Sequence, residues 1–412
     1  MTPRILIVNN WPVHPPRTGG QQAVHHLCMS LSAHHRCTYA YLNETSNELD
    51  YLSITERFTS IGIPAQRHKT FKAKLLAPGF LHYDGVTKFA HRAAYSQVSR
   101  KTIEQVIDHH DVVMFTHPWS WPALKDIPSL ADKFVIYDSH NVESVLAAEV
   151  SGPWLQRTSN HFLVKRLEQQ LCERSDLILT CTEEDKGFYV ERFGIPATKI
   201  HAGFKGVHCQ NYAAEPAGFA ERERAALFVG SNWYPNNQAA ARIVNELAPA
   251  LPSFKWLLAG TCTKRLPLSF DPNVQRLGFV DDLLLLMNRA LVAVNPMTEG
   301  SGINMKMMDY MAAGLPVVTT EFGARGITGE ARDALIIVDL PSFPKAIEDL
   351  ANDPVRWQTL SRRARESAMR QFDWNTIAQR LDGLIMDGLK QAKSTQAYSL
   401  LGKDPAPKAV SP

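Results

Sequence analysis

The chain has 412 residues, 45% of them hydrophobic and 21% charged, which is the balance of an ordinary soluble globular protein with room for more than one domain. A net charge of +3 supplies no electrostatic case for a nucleic-acid partner. Six cysteines without a C-x-x-C pair or metal-ligand spacing exclude a disulfide framework and a cysteine metal site, and read as reduced packing thiols of a cytoplasmic protein.

No apolar run reaches the roughly 18 residues of a membrane span, and Ile5-Leu6-Ile7-Val8 is too short for a signal-peptide core. It predicts a first strand, leading into the glycine loop Pro15-Pro16-Arg17-Thr18-Gly19-Gly20-Gln21. Between Arg57 and Lys101, nine basic residues (Arg57, Arg67, Lys69, Lys72, Lys74, Lys88, Arg92, Arg100 and Lys101) stand against one acidic residue, Asp84. Phe71, Phe80, Tyr83 and Phe89 are interleaved with them. Two readings are equally open: contact with an anionic membrane surface or lipid-linked acceptor, or a solvated basic face over core aromatics.

Asp111 to Phe115 predicts a strand with His117 just beyond it, and Phe134 to Tyr137 a second strand followed by Asp138, His140 and Glu143. Trp119 and Trp121 could floor a sugar site, although buried packing is the commoner use of such rings. The pairs His25-His26, His34-His35 and His109-His110 point in different directions on a helix and make poor metal ligands. A helix over Leu163 to Arg174, a strand over Leu177 to Thr180 and a helix over Glu183 to Phe193 complete a first domain, 1–203. A new strand from Ala226 to Val229 opens a second, 204–373. A crossover helix, 374–390, returns to the first domain, and the Lys- and Pro-bearing tail 391–412 reads as disordered. Strand and helix patterns that alternate predict α/β layers on parallel sheets, with ligand bound beyond the carboxyl ends of the strands.

The strongest local signal runs from Ala290 to Ile327. Leu291 to Val294 and Val317 to Thr320 predict strands, and Ile303 to Ala313 predicts a buried helix stopped by Gly314 and Pro316. The loop before that helix is Glu299-Gly300-Ser301-Gly302, whose glycines allow close backbone approach at the positive end of a helix, a ready anion site. Gly302, Lys306 and Asp309 follow i, i+4, i+7 spacing along one stripe. That stripe suits a nucleoside diphosphate, with phosphate on Gly300–Ile303 and Lys306 and ribose hydroxyls on Asp309. The alternative is a Lys306–Asp309 surface pair.

The run from Asn295 to Gly302, then Lys306, Asp309, Ala313-Gly314-Leu315-Pro316-Val317-Val318 and Phe322-Gly323-Ala324-Arg325-Gly326, resembles the donor site of family-four glycosyltransferases of the GT-B fold, two Rossmann-like doubly wound parallel-sheet domains. The amino-terminal glycine loop, Val113 to His117, Tyr137 to Glu143, Leu227 to Ser231, Pro235 to Asn237, Leu257 to Gly260 and Leu277 to Val280 extend the resemblance over residues 4–380. It implies donor contacts from Gly19, Gly20, Ser231, Asn236, Gly300, Ser301, Gly302, Ile303, Asn304, Asp309 and Arg325, and a base contact at Gly278, Phe279 and Val280. It also implies His117, Glu299 and Lys306 in catalysis, with His140 and Trp119 on the acceptor side. Two departures stand out. Asp309 replaces the second glutamate of the family's paired motif, while Glu299 lies two residues early for the first; either a longer loop lets it serve, or Gly302 and Ile303 replace it with backbone N–H groups. The arginine and lysine common after the second domain's first strand are absent, with Ser231 and Tyr234-Pro235-Asn236-Asn237 in that region.

The expected activity is transfer of a hexose from a UDP- or GDP-linked sugar to a sugar or lipid-linked hydroxyl acceptor, in cell-surface polysaccharide or glycoconjugate assembly. Retention of anomeric configuration is implied by the resemblance alone. No cofactor or metal is expected, since no Asp-x-Asp triplet occurs. A nucleotide-sugar epimerase or hydrolase of the same fold, or a non-catalytic nucleotide-sugar-binding protein, are the alternatives.

Overall fold

The computed structural model describes residues 2–16, 19–43, 46, 48–64, 97–149, 154–212, 216–266, 271–300 and 302–400. In the amino-terminal half, β1 (Arg4–Val8), β2 (Arg36–Asn43), β3 (Asp50–Thr55), β4 (Phe58–Pro64), β5 (Val112–Phe115), β6 (Phe134–Asp138), β7 (Leu177–Thr180) and β8 (Ile200–Ala202) form one sheet in the order β3-β4-β2-β1-β5-β6-β7-β8. The central strands β5, β6 and β7 are buried throughout, as β-branched and apolar runs must be when helices cover both faces. Those helices include α1 (Gly19–Leu31), α2 (Gln97–Asp108), α3 (Glu143–Glu149), α4 (Trp154–Arg174) and α5 (Glu183–Phe193).

One edge corrects the all-parallel expectation. β3 runs antiparallel to β4, because only Glu56 and Arg57 join them and so short a link makes a hairpin, never a crossover.

The second sheet is parallel throughout: β9 (Glu223–Val229), β10 (Lys255–Ala259), β11 (Val274–Gly278), β12 (Ala290–Asn295), β13 (Val317–Thr319) and β14 (Leu335–Ile337), in the order β11-β10-β9-β12-β13-β14. Its helices include α6 (Tyr234–Arg242), α7 (Leu283–Arg289), α8 (Met305–Ala312), α9 (Phe343–Ala351) and α10 (Pro354–Ser367).

The last helix, α11 (Trp374–Leu400), carries Trp374, Ile377, Leu381 and Ile385 into the core of the first domain beside Ile5, Leu27 and Phe134. Gly388 lies against the Phe134 ring, where a Cβ would not fit. The helix continues past Lys390, so the described part of the tail, 391–400, is helical and not disordered. All six cysteines are buried and unpaired. Among the described residues no helix is long and apolar enough to cross a membrane.

Strand order reverses between β1 and β5 in the first sheet and between β9 and β12 in the second. Doubly wound sheets open a crevice at such a point, just past the carboxyl ends of the strands. The glycine loop follows β1, His117 follows β5, Ser231 follows β9 and the Glu299–Gly302 loop follows β12. Topology alone therefore delivers most of the candidate residues to two crevices.

Candidate functional site

On the second domain, α8 buries Met307, Met308, Tyr310, Met311 and Ala312. That leaves Lys306 and Asp309 on its less buried side. The helix begins at Met305, two residues later than the apolar pattern suggests, because Gly302 adopts φ of 64° and Asn304 is extended. The Asn304 side chain donates from Nδ2 to the Gly323 carbonyl at 3.3 Å.

Lys306 Nζ donates to Asn236 Oδ1 at 2.7 Å and lies 4.2 Å from the centroid of the Phe228 ring. Asn236 in turn donates from Nδ2 to the carbonyl and hydroxyl of Ser231, at 3.2 and 3.3 Å. Ser231, Asn236 and Lys306 thus form one chain across β9, α6 and α8. Burial pushes the Lys306 ammonium down to about 7. Among the described residues no carboxylate pairs with it, so the alternative of a Lys306–Asp309 pair does not occur.

Asp309 instead accepts a 2.7 Å hydrogen bond from the Tyr212 hydroxyl. Burial raises its carboxyl to about 6, and the Tyr212 bond works against that rise. Tyr212 comes from the segment entering the second domain and is absent from the sequence expectations.

The surrounding loops are held by glycines. Gly300 has φ of 130° and packs against Trp233 and Pro235. Gly278 has φ of 65°, which leaves Phe279 74% exposed while Val280 packs on the second domain's core. Gly19 and Gly20 are exposed at the start of α1. Glu299 is exposed and has no hydrogen bond or ion pair among the described residues. Ser301 lies outside the described residues, as do Arg67, Lys69, Lys72, Lys74, Lys88 and Arg92 of the basic stretch. Arg57, Arg100 and Lys101 are exposed.

On the first domain, His117 Nδ1 is 3.0 Å from Glu143 Oε1, and the His117 and His140 ring centroids are 4.9 Å apart. His140 uses its other nitrogen, Nε2, toward Asp138 Oδ2 at 3.1 Å. Asp138 also takes a 2.6 Å bond from the buried Lys205 ammonium. Burial alone would raise the Asp138 carboxyl; Lys205 and His140 override it and hold it below the ordinary carboxylate range. Burial, then the nearby Lys205 charge, lowers His140 to about 4, so it is neutral at pH 7. Trp119 is only 3% exposed, packs with Ala147 and Val164 and lies nearly parallel to the His117 ring, the buried packing use of such a side chain.

The two sets of residues meet. A Cβ on Gly302 would sit 2.7 Å from Asn141 Oδ1 and 2.8 Å from the His140 carbonyl oxygen, so only glycine lets the β12–α8 loop lie against the β6–α3 loop. Arg325, expected at the phosphate, is engaged elsewhere: it reaches Asp185 of α5 at 3.6 Å and stacks on Phe322. It bridges the two domains.

With this geometry in place, residues 223–353 match the family model Glycosyl transferases group 1. The match spans all six strands of the second sheet. The whole chain has the GT-B fold: it is similar to the crystal structure of Anabaena HepE in complex with UDP and glucose, with a TM-score of 0.62 at 15% identity, covering 93% of this chain and 99% of that one. Sucrose-phosphate synthase from Thermosynechococcus elongatus aligns with a TM-score of 0.67 at 15% identity, covering 94% and 100%. By sequence, the chain is 25% identical over 403 residues to a glycogen synthase of Mycobacterium tuberculosis, covering 91% of this chain and 92% of that protein. Within the matched region, Ser231, Asn236, Lys306 and Asp309 lie at or beside the β9/β12 crevice.

Proposed function

We propose that the protein transfers a hexose from a nucleoside diphosphate sugar to a hydroxyl acceptor, with retention at the anomeric carbon. One observation carries the reading: Lys306 is a half-buried lysine at the β9/β12 crevice with no carboxylate to balance its charge among the described residues. A lysine in such surroundings is costly unless an anion completes the site. A diphosphate supplies that charge, and the Gly302–Asn304 backbone and the start of α8 offer N–H donors beside it. Asp309, fixed by Tyr212, then accepts from the ribose hydroxyls, and exposed Phe279 offers the base an apolar contact. HepE, a relative in fold, binds UDP and UDP-glucose, which supports a UDP-linked donor here.

As the anomeric C–O bond breaks, charge grows on the departing diphosphate, and Lys306 with the loop N–H groups stabilises it. The acceptor oxygen bonds to the anomeric carbon, and its proton passes to the leaving phosphate oxygen. These fixed groups do the work a divalent ion would otherwise do, so turnover should survive excess chelator; loss of activity that magnesium or manganese restores refutes the metal-free form. A lipid-linked acceptor is supported by the basic stretch: binding to anionic vesicles should weaken with salt, as the Debye length falls from about 10 Å at 0.1 M to about 3 Å at 1 M. Binding that ignores vesicle charge removes the lipid acceptor.

The deciding assay screens nucleotide sugars for binding, then measures turnover with and without an acceptor extract. Turnover that requires acceptor supports transfer. Turnover without acceptor favours an epimerase or hydrolase, and binding without turnover a non-catalytic protein.

A further inference from the structure

His117 is held on three sides. Trp11 lies 5.1 Å from its ring centroid, His140 4.9 Å and Trp119 6.4 Å, the last nearly parallel at 13°. Its Nδ1 meets Glu143 Oε1 at 3.0 Å, and Nε2 has no hydrogen-bond partner among the described residues. Glu143 is buried, and Asn141 Nδ2 donates to the same oxygen at 3.3 Å.

Behind this pair stands a second carboxyl, Glu168 of α4, which is fully buried. It accepts the backbone N–H groups of Glu143 and Ser144 at 2.9 and 3.0 Å, and the hydroxyls of Tyr137 and Tyr189 at 3.1 and 2.8 Å. Four donors on one side chain pin the first turn of α3, and with it the Glu143 carboxylate. Burial, with the neighbouring Glu143 charge, raises Glu168 to about 7, a cost that its donors offset.

We propose that Glu143, fixed in place by Glu168, is a positioning residue that holds His117 as its Nδ1–H tautomer, leaving Nε2 to accept a hydrogen bond from a hydroxyl of the bound sugar. An ionised carboxylate only accepts, so the nitrogen facing it must carry the proton. In a neutral ring the other nitrogen is then the acceptor. His140 is anchored through the opposite nitrogen, so the two neighbouring rings offer different atoms. The inference rests on the reading that a sugar binds beside His117.

The test joins nitrogen-15 NMR of histidine-labelled protein to kinetics on Glu143→Ala and Glu143→Gln, each also made in a His117→Ala background. Wild-type His117 should report the Nδ1–H tautomer. Glu143→Ala should release it toward Nε2–H and lower kcat/KM by roughly 10- to 100-fold, the range for losing one charged hydrogen bond. Glu143→Gln, whose amide oxygen can still accept from Nδ1–H, should keep the tautomer and recover most of that rate. In the His117→Ala background Glu143→Ala should cost little more, since groups acting as one unit are not additive. An Nε2–H tautomer in the wild type, or an equal loss with and without His117, overturns the proposal. If wild-type protein turns over no nucleotide sugar, the proposed function fails, and the tautomer measurement still decides whether Glu143 positions His117.

Discussion

At the first domain's side of the junction the Lys205 charge is matched by Asp138, and His140 and His117 are hydrogen-bonded to Asp138 and Glu143. In the second domain Lys306 has only the Asn236 amide and an aromatic ring, while Asp309 has only a tyrosine hydroxyl among its described partners. Both regions sit past the carboxyl ends of strands, yet the buried cation of the first has its counter-charge within the protein and the lysine of the second does not. A matched buried pair resists change because removing one partner strands the other. An unmatched lysine costs stability in the free protein and gains it back when an anion binds. Stability should therefore depend on the first region, and binding on the second.

The largest expected effect is on catalysis. Lys306→Ala should lower kcat by about 100- to 1000-fold, as loss of one preorganised group at a developing negative charge does; steady-state kinetics with the best donor measures it. A turnover within a few-fold of wild type would show the leaving charge to be stabilised elsewhere. Next comes the matched side. Lys205→Met should lower unfolding stability by about 3–5 kcal/mol, the usual cost of breaking a buried ion pair, in a denaturant titration. A loss under about 1 kcal/mol would mean that Asp138 is rescued by His140 or by water. Asp309→Ala comes third and should weaken nucleotide and nucleoside alike, by about 1.5–3 kcal/mol, since the ribose is common to both.

The smallest effect is in pH. Asp309, raised to about 6, must be ionised to accept from the ribose, so nucleotide affinity should be full above that pH and fall below it. Lys306, lowered to about 7, gains a counter-charge when diphosphate binds, which raises its pKa in the complex. Its contribution is then full below about 7 and lost as pH climbs through the higher bound value. Calorimetry from pH 5 to 9 should give an optimum between the two limbs, and Lys306→Met should remove the alkaline limb alone.

How far the sequence reaches differs between the two regions for a physical reason. Lys306 and Asp309 stand out on an otherwise apolar helix, so local pattern exposes them. Their partners come from afar: Tyr212 is 97 residues from Asp309, and no local period links them. Glu168 lies on α4, a helix whose polar residues give no sign of which one turns inward. Arg325 is placed correctly in its loop, but its engagement by Asp185 depends on how the domains meet. The late start of α8 is backbone geometry, because Gly302 and Asn304 leave helical angles although Ile303 continues the apolar pattern. The β3 edge shows the same limit: strands can be read locally, but their direction is set by the two residues that join them.

The most direct test of the unmatched lysine is to measure UDP and uridine binding to wild-type protein and to Lys306→Met, with the unfolding stability of each. The account predicts that Lys306→Met is at least as stable as wild type without ligand, binds uridine unchanged, and loses most of the advantage of UDP over uridine. An unchanged UDP advantage in a folded Lys306→Met protein would contradict it.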